Sequence, residues 1–410
     1  MAVKSSNELY RRAQQLIPGG TQTISKRPER YVPDKWPAYW SEAKGPWIWD
    51  LDGNKYLDYV MALGPIILGY NHHSVNEAIT VQLSKGSISS LQSPLEVALA
   101  EKLVQHIPSA EMVRFMKTGA EATAMAVRIA RAHVGRPRVI SCGYAGWHDW
   151  WVAKGSMGSS RGDASLRGVP RELDVLVSDL AYGDAASLNA MAAAGGTDVA
   201  CIMIDTFEVN DGGAFLHLAR KTADDIGALL VFDEIITGYR MGLAGAQGMY
   251  GVTPDLSTFG KAMANGMPIS AVVGKREVMQ VAADLWITST FGGEALSLAA
   301  ALATISELEK PATLDRLHDV SEWLERGFQQ LAERHEGLEC FGQLSMPGLR
   351  FTGPDASGRA AAFVAGMLEK GLLTRPNYAF FVTAALSDDE IAYTIEAAET
   401  VLAKAGAVTA

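Results

Sequence analysis

The 410-residue sequence is short of cysteine, holding three, at Cys142, Cys201 and Cys340. They are scattered and form no C-x-x-C pair, which excludes a disulfide framework and a dithiol redox centre. Positive charge is also in deficit. Lys and Arg number 36 against 46 Asp and Glu, a net charge of −10 that is the wrong sign for gripping phosphate backbones. The eight histidines lack any H-E-x-x-H type of spacing, so no metal is expected. No apolar run reaches bilayer length, the most apolar stretch being the alanine-rich 295–305. The polar first sixteen residues do not read as a signal peptide. A cytoplasmic protein without nucleic-acid or membrane partners is the expectation.

What is present is ample hydrophobic material, 48% of the chain, enough for a large core and more than one compact unit. Ala100, Leu103, Val104 and Ile107 recur at helix spacing, as do Ala122, Ala126, Ile129 and Ala130. Between such segments lie short apolar runs at Val139-Ile140, Ala200–Ile204 and Leu229–Phe232, which fit strands buried on both faces. The alternation predicts an α/β fold with a mostly parallel sheet. Pro311 breaks the preceding helix, and Leu317, Val320, Leu324, Phe328 and Leu331 mark another beyond it, where a smaller C-terminal domain is expected to begin. The first fifty or so residues look irregular and are expected to pack with that domain. The Gly- and Ser-rich stretch 154–170 reads as a long loop, a lid or a tolerated insertion.

Three stretches carry chemistry. In Gly227–Arg240 an apolar strand ends in Asp233-Glu234, and strand carboxyl ends face the ligand crevice of a parallel sheet. The same pattern also serves magnesium sites and helix caps. Lys261 lies between Gly260 and a small-residue run ending at Gly266, a turn where an amine can be desolvated and kept neutral for Schiff-base formation. Thr118-Gly119-Ala120 opens a helix, where free N–H groups and the helix dipole favour a phosphate; by itself that start is an ordinary cap.

Together with Pro18-Gly-Gly-Thr, Trp49–Asp58 and Leu243–Gln247, these stretches make the sequence resemble the class III aminotransferases of fold type I, closest to the glutamate-1-semialdehyde aminomutase branch. The resemblance implies the pyridoxal-phosphate (PLP) transferase fold. Residues 56–310 would form the large PLP-binding domain, a mostly parallel sheet flanked by helices. Residues 311–410 would form the small α+β domain, with residues 1–55 packing against it. It implies Lys261 as the Schiff-base amine and Asp233 as partner of the pyridine nitrogen, Ile235 against one ring face and Tyr144 stacked on the other. Thr118, Gly119 and Ala120 would hold the phosphate with Thr290 from a partner subunit, so a homodimer is expected. The activity implied is amino transfer between an amino acid or amine and a keto compound; the alternative is an intramolecular aminomutase or epimerase on the same cofactor.

Departures from the family bear on the substrate. Tyr144-Ala145-Gly146 stands where a Tyr-His-Gly is common, and Asp205 replaces a glutamate among the residues expected around the cofactor. The arginine that the aminomutase branch carries after Pro-Gly-Gly is matched by Lys26 and Arg27, and Arg375-Pro-Asn-Tyr lacks that branch's glutamate. Lys26 and Arg375 suggest an anionic substrate group. Trp147 and His148 could line an apolar pocket, although a plain hydrophobic cluster fits them as well.

Overall fold

The computed structural model describes residues 6–155, 166–195 and 197–408; the centre of the 154–170 loop lies outside them. The chain forms two compact units, Met1–His73 with Pro311–Ala410, and Ser74–Lys310.

The first unit is α+β. It opens on a helix, Ser6–Leu16, where irregular chain was expected, and Tyr10 and Ala13 on one face are buried. Strands β1 (Trp40–Lys44), β2 (Trp47–Asp50) and β3 (Lys55–Asp58) follow as an antiparallel meander. Here too the expectation of irregular structure is corrected: the turn residues Gly45-Pro46 and Asp52-Gly53 punctuate strands too short for alternation to show. β3 then pairs in parallel with Leu372–Leu373, and Thr383 Oγ1 donates to the Ile67 carbonyl at 2.8 Å. Those bonds carry the first unit on to His73, beyond the expected boundary at residue 55. The helix Pro311–Arg334 buries Leu317, Val320, Leu324, Phe328 and Leu331, the apolar stripe read from the sequence.

The second unit is built on a seven-stranded sheet. Its strands are β4 (Met112–Met116), β5 (Arg138–Cys142), β6 (Val177–Leu180), β7 (Val199–Asp205), β8 (Leu229–Asp233), β9 (Leu256–Phe259) and β10 (Ser270–Gly274), in the order β4-β10-β9-β8-β7-β5-β6. β10 runs antiparallel to both of its neighbours, β4 and β9. Along β7, Cys201 and Met203 enter one core with the Gly119–Val134 helix, while Ile202 and Ile204 enter another with the Ala214–Ile226 helix. Both faces are thus covered, which is why β7 is apolar at six consecutive positions before Asp205.

Candidate active site

The carboxyl ends of the parallel strands gather the chemistry. β7 ends at Asp205 and β8 at Asp233, and the two are direct partners in register; Asp233 in turn pairs with Thr258 on β9. Lys261 lies three residues beyond Thr258, in a tight turn over Lys261–Ala264, with φ +39°. A non-glycine residue in the left-handed region is strained, and such strain persists where the surroundings hold it for function.

Asp233 is buried. Its Oδ1 accepts from Thr258 Oγ1 at 2.9 Å and from the Ile235 N–H at 3.0 Å, while Thr206 Oγ1 binds its backbone carbonyl at 3.0 Å. Burial pushes its pKa upward, with those two bonds and the nearby Lys261 charge pulling the other way. Burial also drives Asp205 well above the ordinary carboxylate range, helped by the charges of Asp233 and Glu208. Two acids side by side under little water call for a cation or proton between them and the crevice.

The walls are made by close packing. A Cβ on Gly119 would come 3.2 Å from Ile235 Cγ2, and one on Gly260 would come 3.1 Å from Ile235 Cδ1, so Ile235 fills the space between the helix start and the lysine turn. Tyr144 is 48% exposed and follows Gly143, whose backbone packs against Asp205; its hydroxyl pKa is raised by burial and then by the charges of Asp233 and Asp205. At the helix start, Thr118 and Glu121 form a capping box that uses the N–H groups of Lys117, Thr118 and Glu121. It leaves out those of Gly119 and Ala120, the first two of the helix.

The remaining expected site residues come from other segments. Thr290 is exposed on the segment before the Ala295–Leu308 helix, near Trp286 and Phe291, which are 86% and 57% exposed. Trp147 is exposed and meets His148 edge-on at 4.9 Å. Lys26 and Arg375 belong to the first unit. Lys26 draws down the pKa of buried Asp58, which burial raises on balance. Arg375 stacks on Tyr378 at 3.8 Å and lines a cleft of about 290 Å³ with Ser25, Arg30, Tyr31 and Pro376. Arg30, Thr206 and Thr258 were not anticipated. Thr258 had a signal: it shares a face with Leu256 along a strand leading to Lys261.

The family profile Aminotransferase class-III matches residues 31–402. The chain belongs to the class-III aminotransferases. It is 36% identical to the 3-aminobutyryl-CoA aminotransferase of Cloacimonas acidaminovorans over 97% of each chain. To the glutamate-1-semialdehyde 2,1-aminomutase of Methanothrix thermoacetophila it is also 36% identical, over 81% of this chain and 78% of that one. The FumI protein of Sphingopyxis sp. MTA144, solved in its PLP internal aldimine form, superposes with a TM-score of 0.89 at 31% identity, covering 98% of this chain and 96% of that one. This class-III aminotransferase therefore has the fold type I architecture and uses PLP, with an amine donor and a keto acceptor as substrates. Among the described residues no helix is long and apolar enough to cross a membrane.

The residues present fit that cofactor. Both side-chain bonds of Asp233 end on Oδ1, and a buried carboxylate so held suits a protonated pyridine nitrogen. The side-chain-free backbone at Gly119 suits a phosphate at a helix start.

Proposed function

We propose that this class-III aminotransferase works through Lys261 as the cofactor-bearing amine and proton carrier, Asp233 as the ring anchor, and a second copy of the chain completing each site. The observation that supports it most is the buried Asp233 carboxylate at the end of β8, its Oδ1 held by Thr258 and the Ile235 N–H, beside the strand that leads into the Lys261 turn. PLP supplies a carbonyl that accepts the amino group and a ring that withdraws electrons from the carbon losing its proton.

The chain's residues do the rest. Asp233, ionised opposite a ring N–H, holds the proton there. Lys261 Nζ would hold the cofactor and, when free, would be the base that removes a proton from the substrate carbon and returns it one position away. Tyr144 and Ile235 close the two ring faces, and Gly119 and Ala120 N–H groups take the phosphate with Thr118. Asp205, the register partner of Asp233 on the adjacent strand, has its carboxyl pushed up by burial and then by the charge of Asp233. Thr290, exposed beside Trp286 and Phe291, suits a phosphate contact reaching into the partner's site. In the first unit, Arg375 with Arg30 suits an anionic group on the amino compound, such as a carboxylate; Lys26, Trp147 and His148 are weaker candidates for substrate contact. The three free cysteines accord with a cytoplasmic setting.

Mixing holoenzyme with carboxylate-bearing amines in the absence of a keto acceptor tests this reading. One equivalent of keto product should form per site, with loss of the yellow colour, and an acceptor should restore it. No product from any amine would overturn it. Aminomutase relatives give a second reading its standing; it requires labelled nitrogen to stay within a single product.

A further inference from the structure

We propose that Lys154 is a positioning residue for the cofactor site, acting through the Gly143 carbonyl on the ring of Tyr144. The proposal rests on Tyr144 lying against the cofactor ring, as set out above.

Lys154 follows the short Asp149–Val152 helix, and its side chain is only 1% exposed. Nζ donates to the Gly143 carbonyl at 3.1 Å, to the Ser141 carbonyl at 3.2 Å and to Ser141 Oγ at 3.3 Å, and it pairs with Asp179 Oδ1 at 2.7 Å. It also stands 5.0 Å from the centre of the Trp151 ring. Burying a lysine is costly, and burial lowers the pKa of this one against the pull of Asp179. Half-exposed Asp179 is screened by water and offsets little of that cost.

What the burial secures is direction. The Gly143 carbonyl is gripped twice, by Lys154 and by Trp151 Nε1 at 3.1 Å. Fixing that C=O fixes the peptide plane joining Gly143 to Tyr144, and with it the N–Cα bond about which the tyrosine side chain swings. Two residues on, the Ala145 carbonyl is held from the helix by Thr123 Oγ1 at 2.7 Å, which fixes the chain on the other side of Tyr144. The Tyr144 ring meets Trp151 edge-on, 4.9 Å between centres. Gly143 itself has φ +81°, and a Cβ there would lie 2.6 Å from Asp205 Cβ, so the gripped turn is pressed directly against Asp205. Lys154 and Trp151 thus form a clamp that aims the tyrosine.

The test is titration of apoenzyme with pyridoxal 5'-phosphate, together with the circular dichroism of the bound cofactor, which reports how asymmetrically the ring is held. Lys154→Met should weaken cofactor binding about tenfold and flatten that band, and Trp151→Phe, which removes the other donor without a buried charge, about threefold. Asp179→Asn should stay within about twofold of wild type, because the clamp survives it. In a Tyr144→Leu background, Lys154→Met should add little. If Tyr144→Leu weakens binding while Lys154→Met and Trp151→Phe bind and rotate light like wild type, the clamp is refuted and the tyrosine reading stands. An effect of Asp179→Asn equal to that of Lys154→Met, or full additivity with Tyr144→Leu, also overturns the clamp. A silent Tyr144→Leu overturns both readings. Should Lys154→Met not fold, Trp151→Phe alone decides.

Discussion

Asp233 and Lys261 are 28 positions apart in sequence and meet because one ends β8 while the other follows β9. The acid is destabilising where it sits. Its folded-state pKa lies above the unfolded one, so the cofactor-free protein loses stability as pH climbs past the unfolded value, near 4, and stops losing it once pH exceeds the raised value. Apo Asp233→Asn should therefore match wild type in melting temperature at the acid end and become the more stable protein as pH rises towards neutrality, while losing transamination. Equal melting curves at every pH would contradict the placement of this carboxylate. Lys261→Ala should lower turnover at least about a hundredfold, as expected of a lost general base. Single-turnover rates with an amine donor check it.

Part of this residue-scale picture was legible. Asp233 and Lys261 stand in distinctive local contexts, an acid ending an apolar strand and a lysine in a small-residue turn. Thr206 was passed over because its bonds, to the Asp233 carbonyl and to Thr237, bridge elements about thirty residues apart. Lys154 likewise reads as one more cation beside a Gly- and Ser-rich loop, and only the packing of β5 against β6 reveals its partners.

Among elements, the Gly119–Val134 helix is the one proposed to take the phosphate, and its start depends on two local features. One is the Thr118–Glu121 capping box, worth about 1 kcal/mol. The other is Gly146, with φ +98°, where a Cβ would fall 2.8 Å from Ala120 Cβ. Gly146→Ala combines left-handed strain with a clash against the helix start. It should destabilise the fold by about 1–3 kcal/mol and weaken cofactor binding, read by denaturant melts and PLP titration. Helices with a clear apolar stripe, such as Pro311–Arg334, were legible because one face must be buried. The 40–58 meander was not. Its strands are four or five residues long, β1 is mostly exposed with Trp40 in water, and Trp47 and Trp49 of β2 lie under Lys55, so alternation had little to act on.

For the molecule as a whole, the proposed dimer makes a claim that a single subunit cannot satisfy. If Thr290 serves the partner's site, Lys261→Ala and Thr290→Asp homodimers should both be nearly inactive. Mixed after gentle dissociation, they should regain about a quarter of wild-type activity, since half the dimers are hybrids and each hybrid holds one native site. No recovery despite proven subunit exchange would place Thr290 outside the shared site. The assignment on which every scale depends is that of the amine. Borohydride reduction of the holoenzyme, followed by peptide mass mapping, should find the pyridoxyl group on Lys261 alone; its attachment to another lysine, or to none, would contradict the account.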